Sequence, residues 1–352
     1  MYAVCFRKHG DSSVLQPERL PLPLTGPGKV LIHVEATSVN RLDVAVRKGF
    51  PGLSLHFPHI PGSDAVGRIV DTGKEMSGFT PGQRVVINPG IGCAKCNRCL
   101  SGKSSLCEHF VIIGEHISGA YAEYLSVPEI NLKAVPDGYP LVKTAAAPLV
   151  YLTAWHSLVS RAGLKFGERV LVSGGSGGVS TAAIQIARLF DAHVVATTRV
   201  KEKVDRLRRL GADEVIVTEK TDGWAKAYLA SGGRPVDIVV DSVGSALWKD
   251  NMRLLDKGGR LVNYGRTSGG EVSMELAFLF WKQLQVVGST MGDPDEFETV
   301  MNLIFSRKLD PVVDKVFSLR DASAAQDYVE ASKHTGKIVL LSGEHDSGTG
   351  TE

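Results

Sequence analysis

Four of the five cysteines lie between positions 93 and 107, as Cys93, Cys96, Cys99 and Cys107. The spacing is C-x2-C-x2-C-x7-C. Zinc takes four thiolates as a tetrahedron, and C-x2-C spacing lets one tight turn deliver two of them. All four positions are Cys, so no vertex is left for water or substrate. The pattern therefore points to a closed, structural zinc. A disulfide framework would instead scatter its cysteines along a short secreted chain. An iron–sulfur cluster also uses closely spaced cysteines and is the competing reading. Cys5 stands alone on a predicted strand and reads as a small core residue.

A second chemical feature follows the apolar run 169–173 (RVLVS). The chain turns through Gly174, Gly175, Ser176, Gly177, Gly178 and Val179 and enters a predicted helix. Glycines let the backbone approach a pyrophosphate, and the helix start offers N–H groups and a positive dipole end. The plain alternative is a tight turn without a ligand. A buried strand before it and repeated strand–helix units around it favour the dinucleotide reading. Ser180 stands where the third glycine of that fingerprint falls, and it is small enough for helix–sheet packing.

The end of the next strand selects the nucleotide. NAD sites place Asp or Glu there, about 20 residues past the loop, to hold the ribose 2′-hydroxyl. Here the stretch is Thr197, Thr198, Arg199, Val200 and Lys201. Two hydroxyls and two cations suit a 2′-phosphate, so NADP(H) is the expected cofactor, with Thr198, Arg199 and Lys203 as its contacts. Glu202, if turned inward, would favour NAD. The plain alternative for each cation is a solvated surface position.

These groups need a scaffold of two domains, which a length of 352 residues suggests. Apolar residues make up 43% and charged residues 22%, enough to bury sizeable cores. Lys+Arg total 40 against 38 Asp+Glu, so nothing calls for a nucleic-acid or membrane partner. The N-terminal MYAVCFRKHG lacks a signal-peptide core, and no apolar run approaches the ~20 residues of a membrane span. A soluble, cytoplasmic protein is expected.

The first ~125 residues read as short strands, at 30–34, 67–70 and 84–87, separated by Gly/Pro turns. The pattern changes near Lys143 to alternating strands and helices. Strands are predicted at 169–173, 193–198, 214–217, 237–241, 259–265 and 285–289. Helices are predicted at 179–190, 201–210 and 222–230. Six strands with helical crossovers argue for an α/β, doubly wound parallel sheet. Helices at 295–305 and 322–333 and a strand at 336–341 exceed that sheet's needs and would return to the first domain. The stretch 343–352 reads as a disordered tail.

Together these features resemble the zinc-containing alcohol dehydrogenase and quinone oxidoreductase superfamily, the medium-chain dehydrogenases/reductases. Asn88-Pro89-Gly90, Ala120-Tyr121-Ala122-Glu123-Tyr124, Leu210-Gly211-Ala212-Asp213 and Asp241-Ser242-Val243-Gly244 add to the likeness. The resemblance implies a GroES-like, mainly β catalytic domain (1–142 and 293–342, with a zinc lobe at about 90–110). It also implies a Rossmann domain (143–292), with the cofactor in the cleft between the two.

The departures define a branch. Zinc alcohol dehydrogenases hold a catalytic zinc with Cys, the His of a Gly-His-Glu turn, and a further ligand. This chain has Asn40, then Gly62-Ser63-Asp64, and no Cys near 149–151. Asn and Ser are poor zinc ligands beside Cys and His. Asn40 with Asp43 resembles the quinone oxidoreductase branch, which works without metal. The resemblance implies Asn40 and Tyr151 as donors to a carbonyl or quinone substrate, and Asp43 as an acid near the active site. It places Thr153 beside the nicotinamide, Ser242 near the cofactor, and Gly265 where the cofactor passes over backbone. A homodimer or homotetramer is implied as well. The expected function is an NADPH-dependent oxidoreductase of quinones, enones or other carbonyls. An alcohol dehydrogenase with a non-standard zinc, built from Asp43, Asp64 and His59 or His116, and a non-enzymatic NADPH-binding protein remain alternatives.

Overall fold

The computed structural model describes residues 1–72, 78–218 and 222–343. The expected tail, from 344 on, lies outside them. The chain divides into two compact units, Met1–Leu149 with Asp293–Glu352, and Val150–Gly292.

The first unit is built on a seven-stranded sheet. Its centre is Lys29–Val39, longer than the alternating Val30, Ile32 and Val34 alone predict. One edge of this strand pairs with Asp64–Asp71. The other edge is shared: Lys29–His33 pairs with Tyr124–Pro128, and Ala36–Val39 pairs with Ile338–Leu341. The C-terminal strand Lys337–Leu341 thus lies in the sheet of the N-terminal half. Val30, Ile32, Val34, Ala65, Val85 and Val127 are wholly buried within it. Arg41–Lys48, Pro294–Phe305 and Ala322–Glu330 are this unit's longer helices. Pro294–Phe305 starts on Asp293, whose N–H donates to Glu296 Oε2 at 2.7 Å. That is half of a capping box, which stops the helix fraying at its start.

The second unit is a six-stranded, all-parallel sheet. In spatial order its strands are Glu214–Val217, His193–Thr198, Arg169–Val172, Val236–Asp241, Leu255–Asn263 and Gln285–Gly288. This is the doubly wound order, with its switch point beside Arg169–Val172. Strands covered on both faces must be apolar throughout, and Val170–Val172 and Ile238–Val240 are 0% exposed. The helix Gly178–Leu189 buries Ala182, Ala183, Ile186 and Ala187. The predicted helix 201–210 is a 3-10 turn, Lys201–Lys203, followed by Val204–Arg209. No helix of the described residues is long and apolar enough to cross a membrane.

Candidate functional site

The four cysteines come together as the spacing predicts. One ligand atom from each lies within 4.8 Å of the others. Cys93 Sγ and Cys99 Sγ are 3.9 Å apart, and Cys96 Sγ and Cys107 Sγ 3.7 Å. A zinc with 2.3 Å bonds needs sulfurs about 3.8 Å apart, so the group fits. Local structure explains the fit. Cys96 caps the short helix Asn97–Leu100, which carries Cys99. A side chain at Gly92 would strike Cys99 Sγ at 2.7 Å, so only glycine leaves that sulfur its place. Backbone N–H groups of Lys95 and Cys96 pull the Cys93 thiol down to about 6, while burial pushes Cys99 up to about 12. A bound zinc would hold its ligands as thiolates.

The glycine turn is a cradle built for close approach. Gly174 has φ +63°, a conformation that favours glycine. A Cβ on Gly175 would meet Ala196 Cβ at 3.0 Å, so glycine seats the turn on the neighbouring strand. Thr197 holds it there: Gly174 N donates to Thr197 Oγ1 at 2.9 Å and Gly175 N to Thr197 O at 2.7 Å. Gly177 begins the helix with no side-chain cap, leaving the first-turn N–H groups without one. Ser180 is buried at the third-glycine position, as helix–sheet packing requires. Lys203 Nζ reaches Ser176 Oγ at 3.3 Å, joining the selecting segment to the loop. Arg199 and Glu202 are both exposed beside it, while Thr198 is buried with its hydroxyl against Val200. A Cβ on Gly265 would meet Ser242 Cβ at 3.0 Å, so those two backbones touch. Cradle, uncapped helix start and flanking cations fit a dinucleotide phosphate.

Of the predicted catalytic residues, Asn40 and Asp43 share a buried polar network in the first unit. Three strand ends deliver it: Ser38 pairs with Asp64, and Val39 with Ile338, the residue after Lys337. Asn40 then caps the helix Arg41–Lys48. Asp64 Oδ2 accepts from Ser38 Oγ at 2.6 Å, Asn40 Nδ2 at 2.8 Å and Lys337 Nζ at 3.2 Å. Asp64 Oδ1 accepts from Leu149 N at 2.8 Å. Lys337 Nζ also donates to Val39 O at 2.9 Å and to Asn40 Oδ1. Asp43 Oδ2 accepts from Asn40 N at 2.8 Å and from Tyr121 Oη at 3.2 Å. Gly62 makes room for Tyr121, since a Cβ there would lie 2.3 Å from its ring. Among the described residues, Asp43, Asp64, His59 and His116 form no group close enough to share a metal. His59 Nε2 lies 3.0 Å from Gly114 O, and His116 Nδ1 accepts from Ile112 N.

Tyr151 and Thr153 lie in the helix Pro148–Trp155 and are buried. The Tyr151 hydroxyl accepts from Gln185 Nε2 at 2.9 Å. Sequence reasoning missed Lys337. Its only signal was a cation opening an otherwise apolar strand, KIVLL.

The network has a pH signature. Burial pushes the Asp43 carboxyl up to about 7, against Asn40 N–H, Lys337 and Tyr121, which favour its charged form. The folded chain then binds a proton there that the unfolded chain, near 3.8, releases. Stability therefore falls as pH rises from about 4 to 7 and levels off above, by at most about 4 kcal/mol. Calorimetric melting across that window should show a smaller decline in Asp43→Asn. An identical decline in the variant would assign it to another group.

The geometry now meets its relatives. A zinc-binding dehydrogenase family model matches residues 178–306, and an alcohol dehydrogenase GroES-like domain model matches 26–137. An NAD-dependent alcohol dehydrogenase of Sulfolobus acidocaldarius is 32% identical, over 97% of this chain and 99% of its own. An acryloyl-coenzyme A reductase of Sulfurisphaera tokodaii is 28% identical, over 92% and 95%. A crystal structure of an NAD-dependent alcohol dehydrogenase, 39% identical, superposes with a TM-score of 0.93 over 97% of this chain and all of that one. The GroES-like sheet, the doubly wound sheet and these full-length relatives make the chain a member of the medium-chain dehydrogenase/reductase superfamily, a nicotinamide-dependent oxidoreductase.

Proposed function

We propose that the protein is an NADPH-dependent reductase of quinones, enones or other electron-poor carbonyl compounds, with a structural zinc and no catalytic one. The observation that carries this reading is the company Asn40 keeps. Asn40 stands where the resemblance puts a zinc-ligating Cys, and its Oδ1, like the neighbouring Asp64 Oδ2, already accepts a hydrogen bond from Lys337. Such a donor set does not fit zinc, which prefers Cys and His here. The acryloyl-coenzyme A reductase relative supports a conjugated acceptor, since its named substrate is an alkene conjugated to a thioester.

NADPH, when bound, supplies the hydride. The Gly174–Val179 turn and the start of the helix Gly178–Leu189 would hold its pyrophosphate. Thr198, Arg199 and Lys203 would hold the 2′-phosphate, with Ser242 and Gly265 against the rest of the cofactor and Thr153 beside the nicotinamide. Asn40 Nδ2 has one N–H on Asp64 and a second without a partner among the described residues. That second N–H would donate to the substrate oxygen as negative charge develops there. Asp43 caps the helix start and so holds Asn40 in place, and Tyr151 supports its own helix through Gln185.

Nicotinamide absorbance should fall with quinones or enones as acceptors, and metal analysis should find one zinc per chain. Oxidation of simple alcohols with two zincs per chain would instead favour the alcohol dehydrogenase reading, which the names of the 32% and 39% identical relatives support. Cys96→Ser should lose the zinc and lower Tm while NADPH still binds, because the site is closed to substrate.

The subunit partner is proposed as a second copy of this chain. Gln285–Gly288 is an edge of the parallel sheet among the described residues, and Val286, Phe280 and Trp281 are all exposed. Such an edge invites strand pairing. Light scattering should give a dimer or tetramer for the wild type and a smaller species for Val286→Lys. A monomeric wild type would sink this assignment.

A further inference from the structure

Lys337 has no part in the family features above, yet it is a deeply buried cation of the first unit. It is 4% exposed. A lysine is almost never that deeply buried unless paired. Three oxygens surround its Nζ: Val39 O, Asp64 Oδ2 and Asn40 Oδ1. An ammonium has three protons and no lone pair, so all three are spent. Burial pulls its pKa down, and the charges of Asp64 and Asp43 pull it back up.

These contacts assign the Asn40 amide. Oδ1 must face the ammonium, which can only donate. Nδ2 must face the Asp64 carboxylate, which can only accept. The reverse orientation would set donor against donor and acceptor against acceptor. What the amide has left for a substrate is therefore an N–H. Flipped, it would turn Oδ1 toward a substrate oxygen and repel it.

We propose that Lys337 is a positioning residue that fixes Asn40 as a hydrogen-bond donor to the substrate oxygen and, by holding Asn40 Oδ1 and Asp64 Oδ2, keeps a metal cation out of that place. The proposal rests on the metal-free reading of Asn40 given above. It explains why a full charge is buried at a strand end where an apolar residue would suffice for packing. The sheet supplies the alignment, because Lys337, Asn40 and Asp64 stand at the ends of three adjacent strands.

Lys337→Met alone leaves Asp64 a buried, unpaired charge and should be strongly destabilised. The decisive variant is Lys337→Met/Asp64→Asn, which removes both charges together. Asn at 64 also offers an amide N–H to Asn40 Oδ1 and so favours the flipped orientation. This variant should fold and bind NADPH as the wild type does. Its kcat should fall at least tenfold with KM little changed, and adding Asn40→Ala should cost less than a further threefold. Wild-type kcat in the double variant would overturn the proposal, because Lys337 would then only neutralise Asp64. Wild-type kcat in Asn40→Ala alone would overturn the reading of Asn40 itself, a separable result. Metal retention by the wild type gives a further test. With its zinc in place, it should retain no added Co(II) after desalting. A retained equivalent that disappears in Asn40→Ala would overturn the proposal, since that ion must have displaced Lys337.

Discussion

Asn40→Ala is expected to lower kcat for the preferred carbonyl acceptor by ~10²–10³, the usual cost of losing one preorganised donor to a developing oxyanion. The donor acts on charge that appears only as hydride arrives, so KM should change little. Ala also strips Lys337 of one acceptor, so a modest drop in Tm is expected beside the kinetic loss. NADPH affinity should be unchanged, because the phosphate cradle lies in the second unit. Steady-state kinetics with parallel cofactor titration separates these effects. A kcat within twofold of wild type would remove Asn40 from the mechanism. An equal loss in kcat and NADPH affinity would point to a general structural defect instead.

Arg199→Ala is expected to weaken NADPH binding roughly tenfold to a hundredfold, the equivalent of ~1.5–3 kcal/mol for a charge-assisted contact. NADH binding should hardly change. Arg199 is exposed just past the strand whose Thr197 holds the loop, and Lys203 is joined to Ser176, so both cations lie on the segment proposed to meet the 2′-phosphate. No carboxylate ends the His193–Thr198 strand, and Glu202 is exposed on the following 3-10 turn. Fluorescence titration of both cofactors against wild type and variant is the check. Equal wild-type affinities for NADH and NADPH, or no loss in the variant, would show that this segment does not select the phosphate. Relatives named as NAD-dependent make that outcome a real contest.

The local parts of this protein were legible in its residues. C-x2-C-x2-C keeps three of the sulfurs within a few residues of each other, as the 3.9 Å between Cys93 Sγ and Cys99 Sγ shows, while the 3-10 turn Ser104–Leu106 brings Cys107 back to Cys96. The glycine turn after 169–173 and the apolar runs of the parallel sheet are equally local, since φ freedom and two-sided burial are written residue by residue. Asn40 and Asp43 were singled out by the resemblance to the quinone oxidoreductase branch, and the structure adds that the Asp43 carboxylate closes back on the Asn40 N–H within one helical turn.

What the residues in order did not reveal is the charge balance around Asn40. Asp64 and Lys337 are hundreds of positions apart, and only the pairing of their strands with the two sides of Lys29–Val39 sets ammonium, amide and carboxylate side by side. Tyr121 joins them because an isolated bridge between Ala3 and Ala122 and the gap left by Gly62 seat its ring there. Spacing along a chain dictates contacts within a turn or a hairpin. Contacts among strands far apart in the chain depend on sheet order and register, and these are settled only when the whole sheet buries its apolar faces. The cysteine cluster and the glycine turn were therefore legible in the sequence, while the direction in which Asn40 points its amide was decided by the tertiary structure.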